Sequence, residues 1–290
     1  MSRVAYVNGR YLPHATAAVH IEDRGYQFAD GVYEVCEVLQ GHLVDLTAHL
    51  NRLDRSLREL NIQFSMSRNA LKRILEEVLR KNLVKNGIIY LQVTRGVSSR
   101  NHFFPSSEVK PSLVVTARSV PQLKKLKAQQ NGIAVITTPE NRWERVDIKT
   151  IGLLPNVLAK QKARDAGAGE AWFVDKEGFI TEGSSTNAWI VTKDNVLLTR
   201  PDDHGILKGV TRSGVVKLAE MLGFQLEERP FTVYEAQNAT EAFVTSASGP
   251  IVPVVKVDGT LVGDGSVGLI THELIKTFHE RSELTKLAVA

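Results

Sequence analysis

The sequence predicts a mixed α/β chain of the α+β type in two domains, and three observations carry that prediction. Short runs of β-branched and aromatic residues bounded by turn signals are interleaved with runs whose leucines recur at helical spacing. Strand and helix do not alternate regularly, and no G-x-G-x-x-G follows a strand, which argues against a doubly wound dinucleotide-binding sheet. Between Ser119 and Gly132 the apolar rhythm fails around Pro121, Lys124, Lys125 and Lys127. A chain of 290 residues, 43% of them hydrophobic, is long enough to fill two cores. We therefore expect a smaller N-terminal α+β domain over residues 1–120, a linker over 121–132 and a larger C-terminal domain over 133–290.

In chain order, Asn8-Gly9 between Tyr6-Val7 and Tyr11-Leu12 has the composition of a type I′ hairpin. The apolar run from Val32 to Leu39 reads as a buried strand closed by a turn at Gln40-Gly41. Thr47 is placed to cap a helix with Leu50, Leu53, Leu57 and Leu60 on one face and Asn61 as its stop. Ser67 precedes a second amphipathic helix built on Leu71, Ile74, Leu75, Val78 and Leu79, and strands follow at Ile88 to Thr94 and Leu113 to Ala117. Beyond the expected linker, strands are predicted at Ile133 to Thr137, Ala171 to Val174, Thr186 to Val191, Ala242 to Thr245 and Ile251 to Val257. Helices are predicted at Val157 to Ala166, Thr211 to Leu222 and Ser266 to Glu283.

Composition excludes several function classes. The formal charge of +4 is small, and the densest basic stretch, Lys124 to Lys127, has no stacking aromatics, so no nucleic-acid partner is expected. The N-terminal residues are polar and no span of about 18 apolar residues occurs, so neither leader nor membrane helix is expected. The single cysteine, Cys36, lies inside an apolar run and reads as a small buried hydrophobe. The expectation is a soluble cytoplasmic protein.

Four stretches carry chemistry. In Arg142-Trp143-Glu144-Arg145-Val146-Asp147-Ile148-Lys149, two arginines and a lysine are interleaved with apolar residues. A lysine between cationic neighbours and apolar walls has its neutral amine favoured, as reaction with a carbonyl requires, although a snorkelling surface lysine is the commoner case. Ile180 to Asn187 puts Glu182 at a strand end beside glycine and hydroxyl residues. Gly205 to Arg212 leads from a glycine-bearing loop into a helix start suited to phosphate, and Val244 to Gly249 is a small-residue turn. Each has an ordinary reading as turn, cap or strand end. Together they supply a carboxylate, a lysine and two phosphate-suited turns.

In this order and spacing the four stretches resemble the signature of the fold-type IV aminotransferases, which include branched-chain and D-amino-acid aminotransferases. The likeness spans nearly the whole chain. Glu22 to Glu34, Val93 to Gly96 and the Arg100-x-His102 pair point to the D-amino-acid branch. The resemblance implies a smaller α+β domain and a larger one with a mixed, barrel-like sheet, pyridoxal 5′-phosphate as cofactor, and transamination between D-amino acids and 2-oxo acids by a ping-pong mechanism. It implies that Lys149 carries the cofactor covalently and moves the substrate proton, and that Glu182 pairs with the pyridine nitrogen. Arg52, Val210, Thr211, Ser246 and Ala247 take the phosphate positions, and Arg142 the one near the phenolic oxygen. Tyr33, Arg100 and His102 form the substrate-carboxylate trap, in a homodimer whose Arg100 loop enters the partner's site. Ala247 stands where a hydroxyl residue is common in the family, which implies a modest loss of phosphate affinity, not loss of the site.

Other enzymes of the same fold, namely branched-chain or R-amine aminotransferases and aminodeoxychorismate lyases, would keep Lys149 and Glu182 but have no reason for Arg100-x-His102. A non-catalytic cofactor-binding protein would tolerate loss of the lysine, which is present. Phe103-Phe104 beside the pair is costly to expose, which implies that the loop packs against something.

Overall fold

In the computed structural model, which describes residues 3–285, Asn8 (φ 45°) and Gly9 (φ 92°) both take the left-handed region, as a type I′ turn requires. They close the hairpin Val4–Val7 with Arg10–Pro13. The chain divides into two units, each with its own sheet. The first takes the described residues up to Pro121, together with Ile148–Gly152 and the last described residues from Glu283. Its strands lie in the order Leu284–Thr285, His42–Val44, Gly31–Leu39, Gly87–Thr94, Ser112–Ser119, Val4–Val7, Arg10–Pro13, all antiparallel. Helices Leu46–Glu59 and Arg68–Asn82 turn Leu50, Leu53, Leu57, Leu71, Leu75 and Leu79 into one core with Val32, Cys36, Ile89 and Val115 of the sheet. Cys36 is wholly buried there, and burial pushes its thiol pKa well up, so it packs as a hydrophobe.

The cap of the first long helix differs from expectation. Ser67 caps the second as predicted, accepting from Ala70 N at 3.2 Å. At the first, the cap is Asp45 (φ 52°), and Thr47 instead donates to Glu283 Oε1 at 2.9 Å. Asp45 Oδ1 accepts from Glu283 N at 2.9 Å. A tie to a residue more than 200 positions away thus overrides a local capping signal.

The second unit comprises Gln122–Asp147 and Leu153–Ser282. Its ten-stranded sheet runs Leu226–Glu228, Leu197–Thr199, Asn187–Val191, Glu241–Ser246, Gly249–Val257, Ile133–Pro139, Glu170–Val174, Phe179–Gly183, Phe231–Thr232, with Thr260–Leu261 paired to Gly249–Val257. The sheet is mixed, with parallel pairings on both sides of Ile133–Pro139. One core gathers Trp172, Phe231 and Val254. Another places helices Val210–Leu222 and Leu269–Arg281 against Trp189 and Phe243, whose rings stack 5.4 Å apart. A third, small core lies beneath helix Leu154–Asp165. The expected linker is a helix, Gln122–Asn131, packed on strand Gly249–Val257 through Gln129 Nε2, which donates to Ile251 O at 3.2 Å. Its Leu123 and Leu126 stay exposed, so it carries no apolar stripe for periodicity to reveal. Residues 286–290 of the expected C-terminal domain lie outside the described residues. Among the described residues no helix is long and apolar enough to cross a membrane, and no His, Cys, Asp and Glu cluster could hold a metal.

Candidate active site

Lys149 is positioned by the first unit's sheet. Within strand Gly31–Leu39, His42–Val44 pairs with Val38 and Leu39 at the C-terminal end and leaves the N-terminal end of that edge uncovered. Residues 149–151 take that place. Tyr33 N donates to Lys149 O at 3.0 Å, Ile151 N to Gly31 O at 3.1 Å, and Val32 bridges Thr150. Lys149 N donates to Ser56 Oγ at 3.3 Å, which ties the residue to helix Leu46–Glu59. Lys149 Nζ lies 4.3 Å from the centroid of the Tyr33 ring, which itself stacks on Tyr90 at 5.7 Å. Burial and Tyr33 push the Tyr90 hydroxyl up to about 12. The arginines that precede Lys149 in sequence are each paired within the second unit, Arg142 with Glu140 and Glu182 and Arg145 with Asp147.

The second unit assembles a carboxylate centre on strand Phe179–Gly183. Glu182 is buried and accepts from Arg142 Nη1 at 2.5 Å, Asn187 Nδ2 at 2.9 Å and Leu207 N at 3.2 Å. Donors of this kind favour a carboxylate over a carboxylic acid. Arg142 is also held by Glu140, through Nε at 2.8 Å and Nη2 at 2.6 Å, and lies 4.5 Å from the Phe173 ring centroid. Burial opposes its charge, but the two carboxylates outweigh burial and raise its pKa further. Glu140 is correspondingly lowered, burial being outweighed by Arg142. A guanidinium shared by two carboxylates leaves the cluster net negative. Asn187 Nδ2 also donates to Leu207 O at 2.9 Å, and a Cβ on Gly209 would come within 2.1 Å of Asn187 Oδ1, so glycine is required there.

Val210 and Thr211 open helix Val210–Leu222, whose cap Gly209 contributes no side-chain bond. Their N–H groups are among those an α-helix leaves without intrahelical partners, and the helix dipole adds positive potential. The helix packs on strand Glu241–Ser246. At the end of that strand, Ser246 Oγ donates to Gly249 O and accepts from Gly249 N, both at 3.2 Å, which shapes the tight turn containing Ala247.

Arg52, expected at the phosphate, is gripped in the first unit by Glu34, through Nε and Nη2 at 2.8 Å each, while His49 Nδ1 contacts Glu34 at 2.7 Å. Burial alone would raise the Glu34 pKa, but the Arg52 charge and hydrogen bonds, with those of His49, bring it from 4.5 to about 2. The sign follows from linkage. The contribution is fully present above the unfolded value of 4.5 and is lost as pH falls through about 2, a difference worth on the order of 3 kcal/mol at 1.36 kcal/mol per pH unit. Melting temperature measured against pH should therefore fall between pH 4.5 and 2 in the native protein. Glu34→Gln should be less stable at pH 7 and lack that part of the acid loss; parallel curves for the two proteins would refute the assignment.

Arg100 and His102 lie in the loop after strand Gly87–Thr94, both exposed, with the Arg100 guanidinium 4.6 Å and the His102 ring 5.4 Å from the Phe28 ring centroid. Phe103 and Phe104 are 81% and 62% exposed, with the Arg95 guanidinium 3.7 Å from the Phe104 ring centroid.

Sequence reading singled out Glu182 without its framework of Glu140, Asn187 and the Leu207 N–H. It also missed Glu170, a buried carboxylate that collects the hydroxyls of Ser184, Ser185 and Thr186, as well as Lys160, and so shapes the turn after Glu182. The five-residue spacing of Glu182 and Asn187 across a turn was the one available signal. Within each unit the groups suit pyridoxal phosphate by their chemistry: in the second, a buried carboxylate for a ring nitrogen and a helix start and serine turn for phosphate; in the first, a lysine amine for a carbonyl.

Residues 31–257 match the family model described as amino-transferase class IV. The chain is 42% identical to a D-alanine aminotransferase of Bacillus licheniformis, over 97% of each chain. It is 39% identical to that of Staphylococcus haemolyticus, over 96% of this chain and 97% of the other. Its fold is similar to a T.th. branched-chain amino acid aminotransferase solved with pyridoxamine 5′-phosphate, with a TM-score of 0.87 and 23% identity over 97% of this chain and 94% of that one.

Proposed function

The chain belongs to the class IV aminotransferases, and from that premise we propose that it transfers an amino group between a D-amino acid, such as D-alanine, and a 2-oxo acid, such as 2-oxoglutarate, by a ping-pong mechanism with pyridoxal 5′-phosphate. The observation that carries the reading is the end-to-end likeness to D-alanine aminotransferases. The branched-chain likeness at 23% identity is one of fold alone.

When bound, pyridoxal phosphate supplies an electron sink for the pair left on the substrate Cα as its proton departs. Lys149 would link the cofactor and, once displaced by the amino acid, would take that proton from Cα as general base and deliver it to the cofactor carbon as general acid. Glu182 would hold a proton at the ring nitrogen, and Arg142, which donates to Glu182, would orient it and, by the family resemblance, serve the phenolic oxygen. Val210, Thr211, Ser246 and Ala247 hold the phosphate through N–H groups and the Ser246 hydroxyl, with Arg52 as a directional donor whose charge Glu34 offsets. Tyr33, Arg100 and His102 hold the substrate carboxylate and thereby present one enantiomer's α-hydrogen to Lys149. We place the enzyme in the cytoplasm as a homodimer whose Arg100 loop serves the partner's site. The exposure of Phe103, Ile21, Tyr26 and Leu154 in the single chain supports a covering partner.

The test is the visible spectrum of the purified enzyme, which D-alanine should change and L-alanine should not. An equal response to both enantiomers would overturn the D-selective reading. Arg100→Ala should lower kcat/KM for D-alanine by about thirtyfold or more, the order expected when one partner of a partly desolvated charged pair is removed. An amine lacking the carboxylate should be little affected. Mixing Arg100→Ala with Lys149→Ala protomers should restore activity in heterodimers; verified heterodimers without activity would refute the shared site.

A further inference from the structure

We propose that Arg24 and Phe28 are positioning residues for the substrate carboxylate, holding the loop that carries Arg100 and His102, and so help determine specificity for substrates with an α-carboxylate. This rests on the reading of Arg100 and His102 given above.

Arg24 is a cation only 3% exposed, and the Asp30 carboxylate, 2.8 Å from its Nε, is shared with Arg95. Arg24 Nη1 also donates to Asn101 O at 2.6 Å and Phe103 O at 3.3 Å, the carbonyls on either side of His102. The guanidinium therefore clamps the loop backbone at the residue assigned to meet substrate. Asp30 in turn binds Arg95 through two contacts, at 2.8 and 3.0 Å, and Arg95 donates to Leu60 O and Asn61 O. The clamp is thereby anchored to the end of helix Leu46–Glu59.

The Phe28 ring fixes the side chains. Arg100 Cζ lies 4.6 Å and the His102 ring 5.4 Å from its centroid, with Arg24 Cζ at 4.8 Å. An aromatic face attracts a guanidinium and restricts its plane, which is what bidentate capture of a carboxylate requires. Phe28 ends the short helix Arg24–Phe28, whose close approach to the sheet leaves no room for a Cβ at Gly25, 2.2 Å from Thr94 Cγ2. Arg24 N donates to Gly96 O, Ser98 N to Glu22 O and Arg95 N to Asp30 O, so residues 22–30 run along the base of the loop. Two sequence segments that resemble the D-amino-acid branch are thus one physical device.

The test compares Arg24→Met, Arg24→Lys and Phe28→Leu with the native holoenzyme, using D-alanine, isopropylamine and the non-reacting carboxylate propionate. Arg24→Met should raise the KM for D-alanine and the dissociation constant of propionate, read from the visible spectrum, by about tenfold, as loss of a charge-assisted hydrogen bond implies. The kcat for D-alanine and the isopropylamine reaction should not change. Arg24→Lys should recover part of the loss, since an ammonium can reach Asp30 or a carbonyl but lacks the fork, and Phe28→Leu should repeat the split. If Arg24→Met does not fold, the other two variants carry the same comparison. Unchanged propionate binding, or equal losses with D-alanine and isopropylamine, overturns the proposal. If Arg100→Ala itself leaves propionate binding unchanged, the underlying reading fails. If Arg100→Ala weakens it and the Arg24 and Phe28 variants do not, only this inference fails.

Discussion

Lys149→Ala is expected to lower turnover by about ten-thousandfold or more, because in the proposed mechanism one amine serves as both the covalent link and the proton carrier, and positioned acid–base catalysis alone contributes roughly 10²–10⁴-fold. Lys149 is held differently from two other lysines, Lys160 and Lys208. Lys160 Nζ is engaged by Gly169 O and Glu170, and Lys208 by Asp202, both by groups suited to a fixed ammonium. Lys149 Nζ instead faces the Tyr33 ring, while its backbone is held on both sides by Tyr33 and Ser56. Its main chain is therefore fixed independently of its side chain, and truncation should leave the fold intact. Single-turnover kinetics, together with the melting temperature, checks this. A well-folded alanine variant that transaminates at nearly the native rate would remove Lys149 from the mechanism.

Glu182→Gln is expected to lower kcat by roughly 10²–10⁴-fold, the order that breaking a buried charged contact of roughly 3–5 kcal/mol implies. The charge that would hold a proton at the ring nitrogen is lost, and the framework around Glu182 makes the amide a poor substitute. Arg142, Asn187 and the Leu207 N–H all donate toward this side chain. A glutamine has a single acceptor oxygen, so its NH₂ must face a donor. Weaker cofactor retention should accompany the slower proton transfer. An unchanged kcat with only reduced cofactor affinity would leave Glu182 as an anchor without an electronic role.

Much of the fold was legible because its signals are local. Asn8-Gly9, Ser67 and the leucine spacing of the two N-terminal helices are readable within a few residues, and the structure carries each of them. The cap at Asp45 and the helix Gln122–Asn131 were not legible. The first depends on Glu283, far along the chain, and the second on packing against strand Gly249–Val257 without an apolar stripe of its own. Likewise Lys149 was noticed for its neighbours in sequence, Arg142 and Arg145. Its actual setting is the free edge of a strand more than 100 residues earlier, while both arginines are neutralised by carboxylates.

By itself the sequence determined the family, the mixed α/β class and the kinds of chemical group present, because motif composition and short-range periodicity are properties of neighbouring residues. The tertiary structure alone decided how those groups are electrostatically paired. Arg52 is committed to Glu34, Arg142 is shared between Glu140 and Glu182, and Arg24 is engaged by the backbone around His102. Charge pairing depends on distances of about 3–4 Å between residues far apart in the chain, and the low dielectric of a buried site amplifies it. No local pattern encodes those distances; they exist only once strands and helices have packed.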